Sequence, residues 1–236
     1  MWRPPRVAVL LALSLLATSA ALAQTVIFSE NFGTPSTTTS IGSYTGYQNF
    51  GALTFSGTGD VRTATPSANY SGASGGGNVF LTNNGVASFT IGGIDTPTFQ
   101  AGSFNLSFGA FKSTIASTMS ELSLAYSTDG TNYTALLLPT QSTGSGTASW
   151  RSITLTSLAI PNTATLSLRW TNTGSGSPNP QFRLDDISMS GTLAAVPEPS
   201  TYAAIAGVAM LGAALWRRAR SGRRDAARSK ITDPAP

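Results

Sequence analysis

The sequence predicts an all-β protein: an antiparallel two-sheet sandwich, flanked by an N-terminal signal peptide and a C-terminal transmembrane helix. Three observations carry this. Apolar and small polar residues alternate with period two in several segments of the central chain. Turn dipeptides and glycine-rich stretches separate those segments. Between Gln24 and Leu193 nothing holds a 3.6-residue period, whereas each end carries one uncharged apolar run beside arginines.

The elements follow in chain order. Arg3 and Arg6 precede the apolar run Val7–Leu16, which is too short to span a bilayer and suits a signal peptide. Ala21-Leu22-Ala23 puts small residues where signal peptidase reads them. Cleavage is expected after Ala23, with Gln24 opening the mature chain. The implied partners are signal peptidase and the secretion machinery. The expected layout is a signal peptide over 1–23, a sandwich over 24–193, a linker over 194–200, a helix over 201–216 and a basic cytoplasmic tail over 217–236.

Within the body, Phe104–Phe108, Leu122–Tyr126, Ile153–Leu155 and Leu166–Trp170 alternate clearly. Each puts apolar side chains on one face and small polar ones on the other, as in a sheet with one wet face. Shorter candidates are Thr25–Ser29, Leu53–Ser56, Asn78–Thr82, Val86–Ile91 and Tyr133–Leu138. Asp129-Gly130 and Asn84-Gly85 are hairpin signals, and Ser71–Gly77 reads as a linker. About ten short strands with turns between them fit a sandwich. Asn31–Phe50 reads as a long loop. Its Tyr44, Tyr47 and Phe50 either stack on sugar rings or cover the open end of the sandwich. Covering is favoured, because exposed aromatic surface is costly.

The chain has 236 residues with no histidine and no cysteine, which excludes imidazole bases, thiolate nucleophiles, thiolate zinc sites and disulfides. From Gln24 to Trp216 five basic residues face eight acidic ones, so the body has no electrostatic footprint for nucleic acid. From Arg217 onward seven basic residues face two acidic ones, and Arg3 and Arg6 add two at the start, so the positive net charge belongs to the two ends.

Val196-Pro197-Glu198-Pro199 denies helix to the residues before its prolines. Thr201–Trp216 follows as an apolar run of helix formers, reaching roughly 24 Å against a hydrocarbon core of about 30 Å. Tyr202 and Trp216 suit the two membrane interfaces, and Arg217, Arg218 and Arg220 suit the cytoplasmic side, where they can snorkel toward lipid head groups. This order resembles the PEP-CTERM sorting signal of Gram-negative bacteria. The resemblance covers about Val196–Arg220. It implies that Pro197, Glu198 and Pro199 are read by an exosortase-type sorting protease. It also implies an inner-membrane-anchored precursor with its body outside, then release to the cell surface or extracellular matrix, often alongside exopolysaccharide production. The tail past Arg220 exceeds the family's usual arginine cluster, and nothing in the resemblance explains it.

In Gln181–Ser190, Phe182 and Leu184 have one parity while Ile187 and Met189 have the other, so a bulge or crossing is expected at Asp185-Asp186. On a regular strand the two carboxylates diverge to opposite faces, which argues against a glycosidase pair. Glu30 with this Asp pair resembles exported carbohydrate-binding jelly rolls, as does the hairpin Ala125–Tyr133. The fold is therefore expected to be jelly-roll-like. The resemblance implies a structural calcium held by Glu30, Asp185 or Asp186; the alternative is that one Asp caps or pairs with Arg183. The function read from the sequence is a non-catalytic exported surface or matrix protein that binds glycan. The alternatives are a glycan-active enzyme using carboxylates and a purely structural matrix component.

Overall fold

The computed structural model describes residues 23–145, 148–175, 178–195 and 199–229. The leader with Ala21, together with Pro197 and Glu198, lies outside the described residues. The chain divides into two compact units, Met1–Ala194 and Ala195–Pro236.

The first unit is an antiparallel two-sheet sandwich. Its strands are β1 (Gln24–Glu30), β2 (Thr39–Ser40), β3 (Thr54–Gly57), β4 (Asp60–Arg62), β5 (Asn78–Leu81), β6 (Ala87–Ile94), β7 (Phe104–Lys112), β8 (Leu122–Ser127), β9 (Thr134–Leu136), β10 (Trp150–Leu158), β11 (Leu166–Asn172) and β12 (Phe182–Thr192). The larger sheet has seven strands in the order β10-β7-β12-β5-β4-β2, with β1 pairing the far half of β12. The smaller has the order β3-β6-β11-β8-β9. The short strands β2 and β4 fall in stretches without alternation.

The alternation does what period two requires. On β7, Phe104, Leu106 and Phe108 are buried while Asn105 and Ser107 turn outward. Trp170 on β11 packs between the sheets, 5.9 Å from the Phe89 ring of β6 and 5.6 Å from the Phe108 ring of β7. Each such side chain, taken fully out of water, contributes about 1.5–3 kcal/mol. The Trp170 indole N–H is buried with no hydrogen-bond partner.

The second unit carries a helix, α1 (Pro199–Ser229), longer than the expected 201–216. It begins at a proline, a residue suited to a first helical turn. Among the described residues no helix is long and apolar enough to cross a membrane. The apolar run ends at Trp216, whose ring lies 4.1 Å below the Arg220 guanidinium. Tyr202 and Trp216 are both exposed.

Candidate functional site

The site begins with the parity change in β12. Pairing with β7 shifts register between Asp185 and Ser188, and Asp186 adopts a left-handed φ of 50°. Aspartate tolerates that conformation better than most residues. The extra residue lets Phe182, Leu184, Ile187 and Met189 all face one core, each fully buried. It also overturns the expectation that the two carboxylates diverge. Both meet the same segment, residues 63–77, which links β4 to β5.

That segment is a strap across the outer face of the seven-stranded sheet. The Tyr70 hydroxyl donates to Asp186 Oδ2. The Ser74 amide donates to the same oxygen at 3.2 Å, and Ser74 Oγ bonds Asp185 Oδ2 at 3.3 Å. The Asp186 amide reaches Asp185 Oδ1 at 2.8 Å. Further along, Trp150 Nε1 donates to the Thr65 carbonyl at 3.3 Å. Gly109 of β7 makes this approach feasible. A Cβ there would stand 2.0 Å from the Tyr70 hydroxyl oxygen and 2.6 Å from Cζ. Asp185 is fully buried. Burial pushes its carboxyl up to about 7; the Asp186 charge adds to the rise, while hydrogen bonds from Ser67, the Asp186 amide and Ser74 oppose it. Tyr70 is held far above the ordinary phenol range by burial first and by its bond to Asp186 second, so it remains a donor.

Beside the strap a row of hydroxyls crosses four strands. Ser29 of β1 pairs with Ser188 of β12, Ser188 with Ser107 of β7, and Ser107 with Thr154 of β10. Neighbouring strands stand about 4.8 Å apart, which sets the spacing of the row. The serines, with Ser152, floor a groove of about 370 Å³ whose walls include Tyr70, Ser74, Asn31 and Gln48. Asp186 is the one charged side chain lining it among the described residues. A second cavity of about 400 Å³, against β8 and β9, is lined largely by Met119, Leu122, Leu136, Leu137 and Leu138 and holds no titratable group.

Glu30 does other work. Its Oε1 accepts from the amides of Phe32 (2.9 Å) and Gln48 (3.0 Å), and its Oε2 from the amide and side chain of Asn49 (3.1 Å each). A carboxylate faced by four N–H donors is a poor place for a cation. Among the described residues no group of three or more His, Cys, Asp or Glu side chains stands together to hold a metal. Arg183 donates to Asn78 Oδ1 at 3.2 Å and lies over Phe80, with no ion pair to Asp185 or Asp186 among the described residues. Asp129 caps its hairpin, accepting from Thr131 and Asn132 amides at 2.8 Å, and those bonds hold its carboxyl below the usual range. Tyr47 stacks on Phe55 at 3.8 Å and donates to the Ile41 carbonyl at 2.9 Å, and Tyr44 donates to the Phe32 carbonyl at 2.6 Å. These two rings are packed, as favoured, while Phe50 is exposed.

The strap and the hydroxyl row escaped the sequence reading. The serines were visible as outward positions of alternating strands, but their alignment depends on register. Nothing in the pattern around Lys112 marks it as more than a charge. It is buried and donates to the carbonyls of Ile115 (3.3 Å), Ser142 (2.8 Å) and Ser117.

Comparison with solved structures finds distant likenesses to the sandwich. The CBM22-1 xylan-binding domain from Paenibacillus barcinonensis Xyn10C is 13% identical with a TM-score of 0.39, covering 75% of this chain and 100% of that one. TmCBM61, solved in complex with beta-1,4-galactotriose, is 18% identical with a TM-score of 0.34, covering 59% and 88%. A cleaved adhesin domain of Lys-gingipain from Porphyromonas gingivalis is 16% identical with a TM-score of 0.39, covering 72% and 99%. No curated protein matches the chain. At the other end the match is to a signal: residues 195–219 carry the PEP-CTERM protein-sorting motif, directly after the last strand of the sandwich.

Proposed function

We propose that this is an exported, non-catalytic surface or matrix protein whose jelly-roll-like body binds polysaccharide and whose C-terminal segment is read by an exosortase-type protease. The motif at residues 195–219 supports the sorting half. In this reading a signal peptide ending at Ala23 directs export, and Pro197, Glu198 and Pro199 form the recognition element. Thr201–Trp216 enters membrane lipid, with Tyr202 and Trp216 at its interfaces. Its shortfall in length is absorbed by local thinning and by Arg217, Arg218 and Arg220 snorkelling to the cytoplasmic head groups. A reporter fused after Pro236 is expected to be cytoplasmic; a periplasmic reporter overturns the topology.

The observation that carries the binding half is the hydroxyl row Ser29–Ser188–Ser107–Thr154 beside a polar groove. Neutral donors and acceptors at regular spacing, with one aromatic wall in Tyr70, suit a polyol. Hydrolysis is not supported, because it needs two carboxylates facing a ligand across about 5–9.5 Å. Asp185 is sealed beneath the strap. A glycan array with the mature chain tests the reading: retention on at least one polysaccharide is expected, lost in a Ser107→Trp variant that fills the groove. No retention on any glycan leaves only the structural-matrix role.

A further inference from the structure

The charge in the groove has a consequence for which glycans fit. Asp186 has two oxygens in unequal settings. Oδ2 accepts from the Tyr70 hydroxyl and the Ser74 amide. Among the described residues no protein donor reaches Oδ1, and the side chain is only part-buried on the groove wall. The left-handed backbone of Asp186 at the bulge sets where its carboxylate stands. Behind it lies the second carboxyl, Asp185, and no cation lines the groove among the described residues. Tyr70, kept as a phenol, brings no opposing charge.

We infer that Asp186 makes this groove selective for uncharged glycan chains over anionic ones, with its Oδ1 accepting from ligand hydroxyls. The inference rests on the polysaccharide-binding reading above and adds the class of ligand. A free hydroxyl donates readily to a carboxylate, and a charge-assisted bond of that kind is stronger than a neutral one. A uronate or sulfate brought to the same place meets a fixed like charge in a partly desolvated wall, and like-charge juxtaposition is an effective way to reject a wrong partner.

The test is affinity electrophoresis of the mature chain in gels containing polymer pairs that share a backbone and differ in charge: hydroxyethylcellulose against carboxymethylcellulose, dextran against dextran sulfate, and methyl-esterified against free polygalacturonate. The parent is expected to bind at least one neutral member about tenfold more tightly than its anionic twin, a gap that shrinks as salt rises. Asp186→Asn should narrow the gap to about twofold, mostly by gaining the anionic polymer. Asparagine accepts the left-handed backbone, so the variant is expected to fold, which a thermal scan checks. Asp95→Asn removes the same charge from an exposed loop position outside the groove and should leave the gap unchanged. Equal binding of both twins by the parent overturns the inference, as does an unchanged gap in Asp186→Asn or an equal narrowing in Asp95→Asn. Failure to bind any polymer removes the polysaccharide reading itself, and the inference falls with it.

Discussion

The two outer faces of the sandwich are built from the same small hydroxyl side chains, yet only one holds the polar groove. On the five-stranded sheet Ser88 and Thr90 of β6, Ser123 of β8 and Thr171 of β11 turn outward, much as Ser107 and Ser188 do on the seven-stranded sheet. What differs is what lies above them. The five-stranded face carries Arg169, its guanidinium 3.5 Å over the Tyr133 ring. The seven-stranded face carries a strap tied down by two adjacent carboxylates. The polar groove therefore comes from a connection and a bulge, not from the composition of the strands.

The largest expected effect should strike both faces together. Trp170→Ala empties the contact between the sheets and should cost about 3–5 kcal/mol, read from the denaturation midpoint. Trp170→Phe should cost clearly less, since it also removes the unpartnered N–H. Next, only the strapped face should respond to pH near neutrality. The Asp185 carboxyl sits at about 7 in the folded chain against an ordinary 3.8. Between those values the folded state holds the extra proton, so stability is full below the lower value and is lost as pH rises toward the upper one. Each unit between them is worth about 1.4 kcal/mol, a few kcal/mol in all. Thermal midpoints should fall from pH 5 to pH 8, and Asp185→Asn should flatten that slope; a flat parent profile contradicts the burial argument.

Smaller still is a matched pair of glycine changes. Gly109→Ala should lift Tyr70, cost about 1–3 kcal/mol and abolish glycan retention. Gly92→Ala, on the other sheet, meets the Thr54 hydroxyl at 2.7 Å and the Ser167 hydroxyl at 3.1 Å and should leave retention intact. Loss of retention in both would erase the distinction between the faces. The smallest effect expected is none: a chelator should not move the midpoint, because Glu30 is already satisfied by N–H donors. A clear drop would return an ion to that end of the molecule.

Much of the sandwich was legible because alternation is local. Phe104–Phe108, Leu122–Tyr126 and Leu166–Trp170 fall inside β7, β8 and β11, and Asp129-Gly130 turns between β8 and β9. The bulge at Asp185-Asp186 was legible too, as a parity change. Its result was not. Tyr70 and Asp186 lie 116 residues apart, Ser74 and Asp185 111, and a Gly/Ser-rich stretch says that a chain bends without saying where it lands. Lys112 was hidden for a related reason: its ammonium is stabilised by carbonyls of loops that carry no pattern of their own.

The hydroxyl row from Ser29 to Thr154 also has a shape. Each strand in a sheet is rotated from its neighbour by about 20–25°, so three steps across four strands turn the row through roughly 60–75°. A flat ribbon laid on it would touch at one end and lift away at the other. On the polysaccharide-binding reading proposed above, a chain that follows this path must coil as it goes, which favours single, supple strands in solution over the planar surface of a crystalline fibre.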